Sequence, residues 1–114
     1  MSGVPVSDLT ARRCKPCVGG MPALSQAQAD QLMQQIEGWQ QLEQRISKTY
    51  PFKGYYQTIA FVNAIAWMAQ REDHHPELVV GYNQCRVEYT THAMGGLSEN
   101  DFICAAKVDA LFKI

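Results

Sequence analysis

The chain has no surplus of positive charge. Ten Lys and Arg stand against eleven Asp and Glu, for a formal net charge of −1 and an isoelectric point near 6.3. Nucleic-acid domains gather a basic excess on one face, so no nucleic acid is expected as a direct partner. Long apolar runs are also missing. The richest stretch, Ile59 to Ala69, is broken by Asn63 and falls short of the ~18 residues a membrane span needs. No membrane partner is expected. Residues 1–10 have neither a cationic n-region nor an apolar h-region, which argues against a secretory signal and for a cytoplasmic, reducing location. Internal repeats and an HExxH motif are absent too.

Cysteine is sparse and unevenly placed. Cys14 and Cys17 form a CxxC in the segment RRCKPCVGG, while Cys85 and Cys104 stand alone. A zinc ribbon needs a second closely spaced pair, and a thioredoxin-type CxxC follows a strand and opens a helix. This pair sits instead among prolines and glycines. An inert or accessory tail, a share in a metal site and redox chemistry all remain readings of it.

What is present is the composition of a globular domain. The 114 residues are 46% hydrophobic and 18% charged, enough for one domain with its own core. Residues 1–22, with three prolines and three glycines, read as an irregular arm. Residues 23–114 read as the folded unit. Ser25 and Gln28 match a capping box, Leu32, Met33 and Ile36 an apolar face, and Gly38 a stop, which predicts a helix over 26–37. Residues 39–50 suggest a strand pair turning near Glu43 and Gln44. Residues 52–72 carry the longest helical pattern, with a stripe through Phe52, Tyr56, Ile59, Asn63, Ala66 and Gln70, widened by Phe61, Ile65 and Met68. Trp39 and Trp67 read as core. Pro76 ends helical geometry ahead of itself. Leu78 to Tyr82 reads as a strand, Arg86 to Thr91 as an alternating one, and Gly95-Gly96 as a turn. Ser98 with Asp101, and Leu97 with Phe102, match a capping box and a hydrophobic staple opening a last helix that runs to about Phe112. Helix, hairpin, helix, two strands, helix is an α+β order with helices on one sheet face.

The three histidines, His74, His75 and His92, all lie in the second half. His74 and His75 leave a helix, and adjacent side chains of an extended segment point to opposite faces. His92 closes a strand before the Gly95-Gly96 turn. They fit surface loops, a metal site completed by Asp73 or Asp101, or general acid–base catalysis without metal, since imidazole suits proton transfer near neutrality. Asp101 at the third helical position also has a plain capping role.

The segments Glu72-Asp73-His74-His75-Pro76-Glu77, Tyr82-Asn83, Val87 to His92, Gly95-Gly96-Leu97-Ser98 and Asp101 stand in the order and spacing of one known pattern. The chain resembles the pterin-4a-carbinolamine dehydratase family over about Leu24 to Phe112. The resemblance implies a four-stranded antiparallel sheet with about three helices packed on one face. It implies dehydration of 4a-hydroxytetrahydropterin to quinonoid dihydropterin, recycling the pterin after aromatic amino acid hydroxylation, with no metal and no cofactor. It implies catalysis by His74, His75 and His92, with Asp73, His74, His75, Thr90, Thr91, His92 and Asp101 binding substrate. It also implies a homodimer or homotetramer with a functional link to an aromatic amino acid hydroxylase. Two alternatives accompany it: a dimerisation or coactivator-type binding module, and action on another pterin such as that of the molybdenum cofactor. Leu78 departs from relatives that carry an aromatic soon after the HHPE stretch, and the Cys14/Cys17 arm has no equivalent in the shortest relatives.

Overall fold

The computed structural model describes residues 9–16 and 22–113. Cys17, and with it one half of the CxxC, lies outside the described residues. The elements in chain order are α1 (Gln26–Met33), β1 (Gln40–Leu42), β2 (Arg45–Pro51), α2 (Tyr55–Glu72), β3 (Glu77–Val80), β4 (Gln84–Tyr89), a 3-10 turn (His92–Met94) and α3 (Glu99–Phe112). The strands form one antiparallel sheet in the order β1-β2-β4-β3. Among the described residues the α+β architecture, with these three helices and four antiparallel strands, is therefore as expected.

Period-two alternation decides which sheet face is covered. Cys85, Val87 and Tyr89 are buried, while the alternate residues Gln84 and Arg86 are exposed and Glu88 is half-buried. Ile46 and Tyr50 extend the buried face across β2. Helix α3 supplies the other half of the core through Phe102, Ile103, Cys104, Ala105, Ala106 and Val108. Its Ala-rich stretch lets the backbone approach the sheet closely. The staple pair Leu97 and Phe102 are both buried.

Several boundaries differ from the sequence expectation, each for a local reason. Helix α1 stops at Met33 and not near Glu37. Gln35 N and Ile36 N donate to Leu32 O and Met33 O, three-residue bonds that tighten the chain after the last α-turn. Gly38 at φ 80° then occupies a left-handed position that a Cβ disfavours. Helix α2 begins at Tyr55 because Phe52 N is bound to Asn83 O, which ties that residue to the β3–β4 turn. Strand β3 ends at Val80.

The buried stripe of α2 is Thr58, Phe61, Ile65, Met68 and Ala69. This corrects the expected stripe: Tyr56 is 81% exposed. Thr58 can turn inward because its hydroxyl reaches Gly54 O at 2.8 Å and Tyr82 O at 3.0 Å, so no polar atom is left unmet. Trp67, expected in the core, is 63% exposed with the Arg71 guanidinium 4.8 Å above its ring. Trp39 is buried as expected.

Candidate active site

Two helix ends and one strand end build the site. Helix α2 is closed by Asp73, whose φ of 54° and ψ of 42° turn the chain sharply out of the helix. Both Asp73 N and His74 N then donate to Ala69 O. The turn carries His74 back across the sheet, where its ring stacks on Tyr89 with centroids 5.5 Å apart and planes 10° apart. Tyr89 is the last residue of β4, on the inward parity of that strand. Its hydroxyl is buried with no hydrogen-bond partner among the described residues. Burial first, and the neighbouring Cys104 thiol second, push its pKa well above the ordinary tyrosine range.

Helix α3 brings the carboxylate. Asp101 is fully buried, and its Oδ1 lies 2.6 Å from His74 Nε2. Its Oδ2 accepts from Ser98 N at 2.9 Å and from Thr91 Oγ1 at 2.9 Å. These bonds fix the proton directions. Thr91 has one hydroxyl hydrogen and gives it to Asp101, so the Ser98 hydroxyl donates to Thr91 across 2.7 Å. A carboxylate that accepts at Oδ1 holds the His74 proton on Nε2 and leaves Nδ1 as the nitrogen that can accept. The capping role of Asp101 and its role under His74 are thus compatible, one oxygen serving each.

A cleft of about 560 Å³ opens above this network, within the usual size of a small-molecule site. Asp73, His74, His75, Thr90, Thr91 and His92 all line it. His74 is 11% exposed at its side chain, whereas His75 and His92 are exposed. His92 sits in the 3-10 turn closed by Gly95, whose φ of 68° is left-handed. Two of the expected binding residues face away from the cleft in part. Thr91 lends its hydroxyl to Asp101, and Thr90 Oγ1 donates to Gln44 O at 2.6 Å, which pins the β1–β2 turn. Asp101 does not line the cleft and reaches it through His74.

The cleft also has walls that the sequence did not suggest: Cys14, Lys15 and Pro16 from the arm, Arg71 and Glu72 from α2, and Asn100 from α3. The CxxC was the only signal pointing to the arm. Cys14 Sγ lies 3.4 Å from Cys104 Sγ. That contact, followed by burial, pushes the Cys14 thiol well above the ordinary range, so it stays protonated. Among the described residues no three His, Cys, Asp or Glu side chains cluster so as to hold a metal ion, and no helix is long and apolar enough to cross a membrane.

Glu72 ties the arm to the site. Burial alone would raise its pKa. The Cys14 amide, Lys107 and Arg13 outweigh burial and hold its carboxyl below the usual glutamate value. Cys14 N donates to Oε1 at 2.8 Å, and Lys107 Nζ lies 3.3 Å from Oε2. A lowered folded value means stability that is present above the unfolded value of about 4.3 and lost as pH falls through the folded one. The wild type should therefore melt above Glu72→Gln at neutral pH. Calorimetry should show that gap closing below about pH 4.

A family model described as pterin 4 alpha carbinolamine dehydratase matches residues 22–111. A protein of Nitrosospira multiformis is 63% identical over 109 residues, covering 96% of each chain. One of Nitrosomonas europaea is 66% identical, covering 95% of this chain and 96% of its own. Both are named, provisionally, as pterin-4-alpha-carbinolamine dehydratases. Among solved structures, a transcriptional coactivator/pterin dehydratase from Brucella melitensis aligns with a TM-score of 0.75 at 28% identity, covering 78% of this chain and 97% of its own. A pterin dehydratase-like protein identified as a RuBisCO assembly factor in the alpha-carboxysome aligns with a TM-score of 0.54, also at 28% identity, over 64% of this chain and 84% of its own.

Proposed function

The chain belongs to the pterin-4a-carbinolamine dehydratase family, and on that premise we propose that the cleft dehydrates 4a-hydroxytetrahydropterin to quinonoid dihydropterin. The observation that carries the reading is the bond between His74 Nε2 and the buried carboxylate of Asp101 in a cleft that His75 and His92 also line. The reaction breaks the bond from C4a to its hydroxyl and removes a proton from a ring nitrogen, so water leaves and no oxidant or reductant is consumed. It needs a donor at the departing oxygen and an acceptor at the nitrogen.

His74 suits the acceptor. Asp101 holds its tautomer with Nδ1 unprotonated and stabilises the cation that forms when Nδ1 takes the proton. His92, just past the end of β4 at the same end of the sheet, is the donor that lets the hydroxyl leave as water. His75 and Asp73 hold the pterin, with Thr90 and Thr91 shaping the floor. Positioning and proton transfer together account for a modest acceleration, about 10²–10⁴ from the acid–base part. On this reading the carbinolamine comes from an aromatic amino acid hydroxylase in the cytoplasm, and the product returns to the tetrahydropterin by reduction. An exposed edge strand such as β3, with Val79 and Val80 exposed, is a surface on which a homodimer or homotetramer could form.

Stopped-flow mixing of chemically generated carbinolamine with the purified protein tests the reading. Dehydration should outpace the spontaneous rate in wild type and fall by about 10²-fold or more in His92→Ala. A wild type that adds nothing to the spontaneous rate would overturn it. One observation favours a second reading, a binding module: the similar Brucella melitensis protein is described as a transcriptional coactivator as well as a pterin dehydratase. In that case an exposed surface, and not the cleft, would carry function, and the cleft variants would leave partner capture unchanged.

A further inference from the structure

Residues 9–16 are built onto the domain. Leu9 is 0% exposed and belongs to the core cluster. Lys107 Nζ donates to Thr10 O at 3.1 Å, and Arg12 pairs with Glu99. Cys14 N is held by Glu72 as described, and Asn100 clamps the next residue from both sides. Its Oδ1 accepts from Lys15 N at 3.0 Å and its Nδ2 donates to Lys15 O at 2.6 Å. These bonds fix the backbone around one side chain, that of Cys14, and aim it at α3.

What it meets there is a second thiol. Cys14 Sγ lies 3.4 Å from Cys104 Sγ, and both cysteines are free. The sulfurs of a disulfide are about 2.05 Å apart, so an approach of about 1.4 Å separates this contact from a bond. The two residues are 90 positions apart in the chain, which the CxxC spacing of Cys14 and Cys17 does not suggest. Their exposure differs. Cys14 is half-buried in the wall of the cleft, whereas Cys104 is 0% exposed. A reagent in the cleft therefore reaches Cys14 first and Cys104 only through it, the arrangement of an attacking thiol with a resolving one beside it.

We propose that Cys14 and Cys104 form a dithiol–disulfide pair, whose oxidation latches the arm onto α3 and whose reduction frees it to lift from the cleft. The oxidant is a small-molecule disulfide of the glutathione type. Exchange starts from a thiolate. Docked Cys14 keeps its proton, so the first attack is made when the arm lifts. The Cys14 thiolate bonds to one sulfur of the oxidant and expels the other, which takes up a proton. Re-docking brings this mixed disulfide against Cys104, whose sulfur bonds to that of Cys14 and displaces the second small thiol into the cleft. The protein thiols lose two electrons and two protons, and the oxidant becomes two thiols. In a reducing compartment such a bond senses redox state and is not a permanent staple. The latch also touches the histidines, because the Cys104 thiol neighbours the hydroxyl of Tyr89, the ring on which His74 stacks. It stands whether or not the cleft dehydrates a pterin.

The test treats the full chain with glutathione disulfide and maps its disulfides by mass spectrometry of unreduced peptides. Cys17→Ser removes the other thiol of the CxxC, and Cys104→Ser and Cys104→Ala remove the proposed partner. Wild type and Cys17→Ser should both give an intramolecular Cys14–Cys104 bond that dithiothreitol reverses. The Cys104 variants should stop at a glutathione adduct on Cys14. Closing so long a loop should raise the Tm of Cys17→Ser by about 8 °C or more. The Cys14 and Lys15 amides should exchange about tenfold more slowly by NMR. Leu9→Ser, which loosens the arm, should form the Cys14 adduct faster than wild type, and an equal rate overturns arm lifting as the first step. A Cys14–Cys17 bond as the wild-type product, or glutathione adducts alone in folded Cys17→Ser, overturns the pair. A Cys14–Cys104 bond that leaves Tm and amide exchange unmoved overturns the latch.

Discussion

On the proposed reading, His74→Ala should lower the dehydration rate about 10²- to 10⁴-fold, toward the spontaneous rate. Removing the ring takes away the proposed proton acceptor and uncovers the Asp101 carboxylate beneath it. Oδ1 of Asp101 then loses its partner while Oδ2 keeps the Thr91 and Ser98 donors. That orphaned oxygen costs about 1–3 kcal/mol of stability, so the activity is read well below the variant's melting midpoint. The double variant His74→Ala with Asp101→Asn recovers part of the stability and none of the rate. Asp101→Asn alone is the sharper probe of mechanism. An amide can donate to Nε2, which shifts the ring proton to Nδ1 and removes the accepting nitrogen while the packing stays nearly intact. Its rate should fall with little change in KM. Stopped-flow traces near the wild-type rate for folded His74→Ala would remove His74 from the chemistry.

The parts of this site differ in how far the sequence exposes them. The strand parity of Cys85, Val87 and Tyr89, the Ser25 and Ser98 caps and the Glu43 turn follow from neighbours in the chain, and local physics suffices for them. The Asp73-His74-His75-Pro76 exit was readable because proline forbids helix at a known place. The α2 face was misread because Tyr56 outranks Thr58 in hydrophobicity. Thr58 goes inside only because Gly54 and Tyr82 offer carbonyls, and Tyr82 comes from another element. Trp67 failed for a similar reason, as Arg71 one turn on covers its ring in solvent. The arm was least legible. Its place depends on Glu72 and Asn100, which are 58 and 85 residues away from the atoms they hold, and no periodicity encodes such a contact. The stacking of His74 on Tyr89 is likewise a product of tertiary geometry alone.

Asp109→Ala should be the most destabilising single change outside the cleft. Asp109 lies on α3 and gathers three donors from the far end of the sheet. Trp39 Nε1 reaches its two oxygens at 3.3 and 3.2 Å, Lys48 Nζ reaches Oδ1 at 2.9 Å, and the Tyr50 hydroxyl donates to Oδ1 as well. Tyr50 and Trp39 are buried, whereas Lys48 keeps the Glu37 carbonyl at 2.8 Å. Truncation therefore takes the shared acceptor from two buried donors and half-strands a cation, a loss of about 3–5 kcal/mol by analogy with broken buried pairs. For a domain of this size that lowers Tm by about 12 °C or more. Asp109→Asn keeps an acceptor and should lose less. The same cluster sets the alkaline limit. Burial first, then the bond to Asp109, push the Tyr50 hydroxyl well above the ordinary tyrosine range. A raised folded value gives stability that is fully present below the unfolded value of about 10 and is lost as pH climbs beyond it, because only the unfolded chain then releases the proton. Chemical denaturation across that range should show stability falling above about pH 10. The fall should be shallower in Tyr50→Phe, which has no proton to release. A melting temperature for Asp109→Ala within a few degrees of wild type would mean that the three donors find water, and that the cluster does not anchor α3 to the sheet.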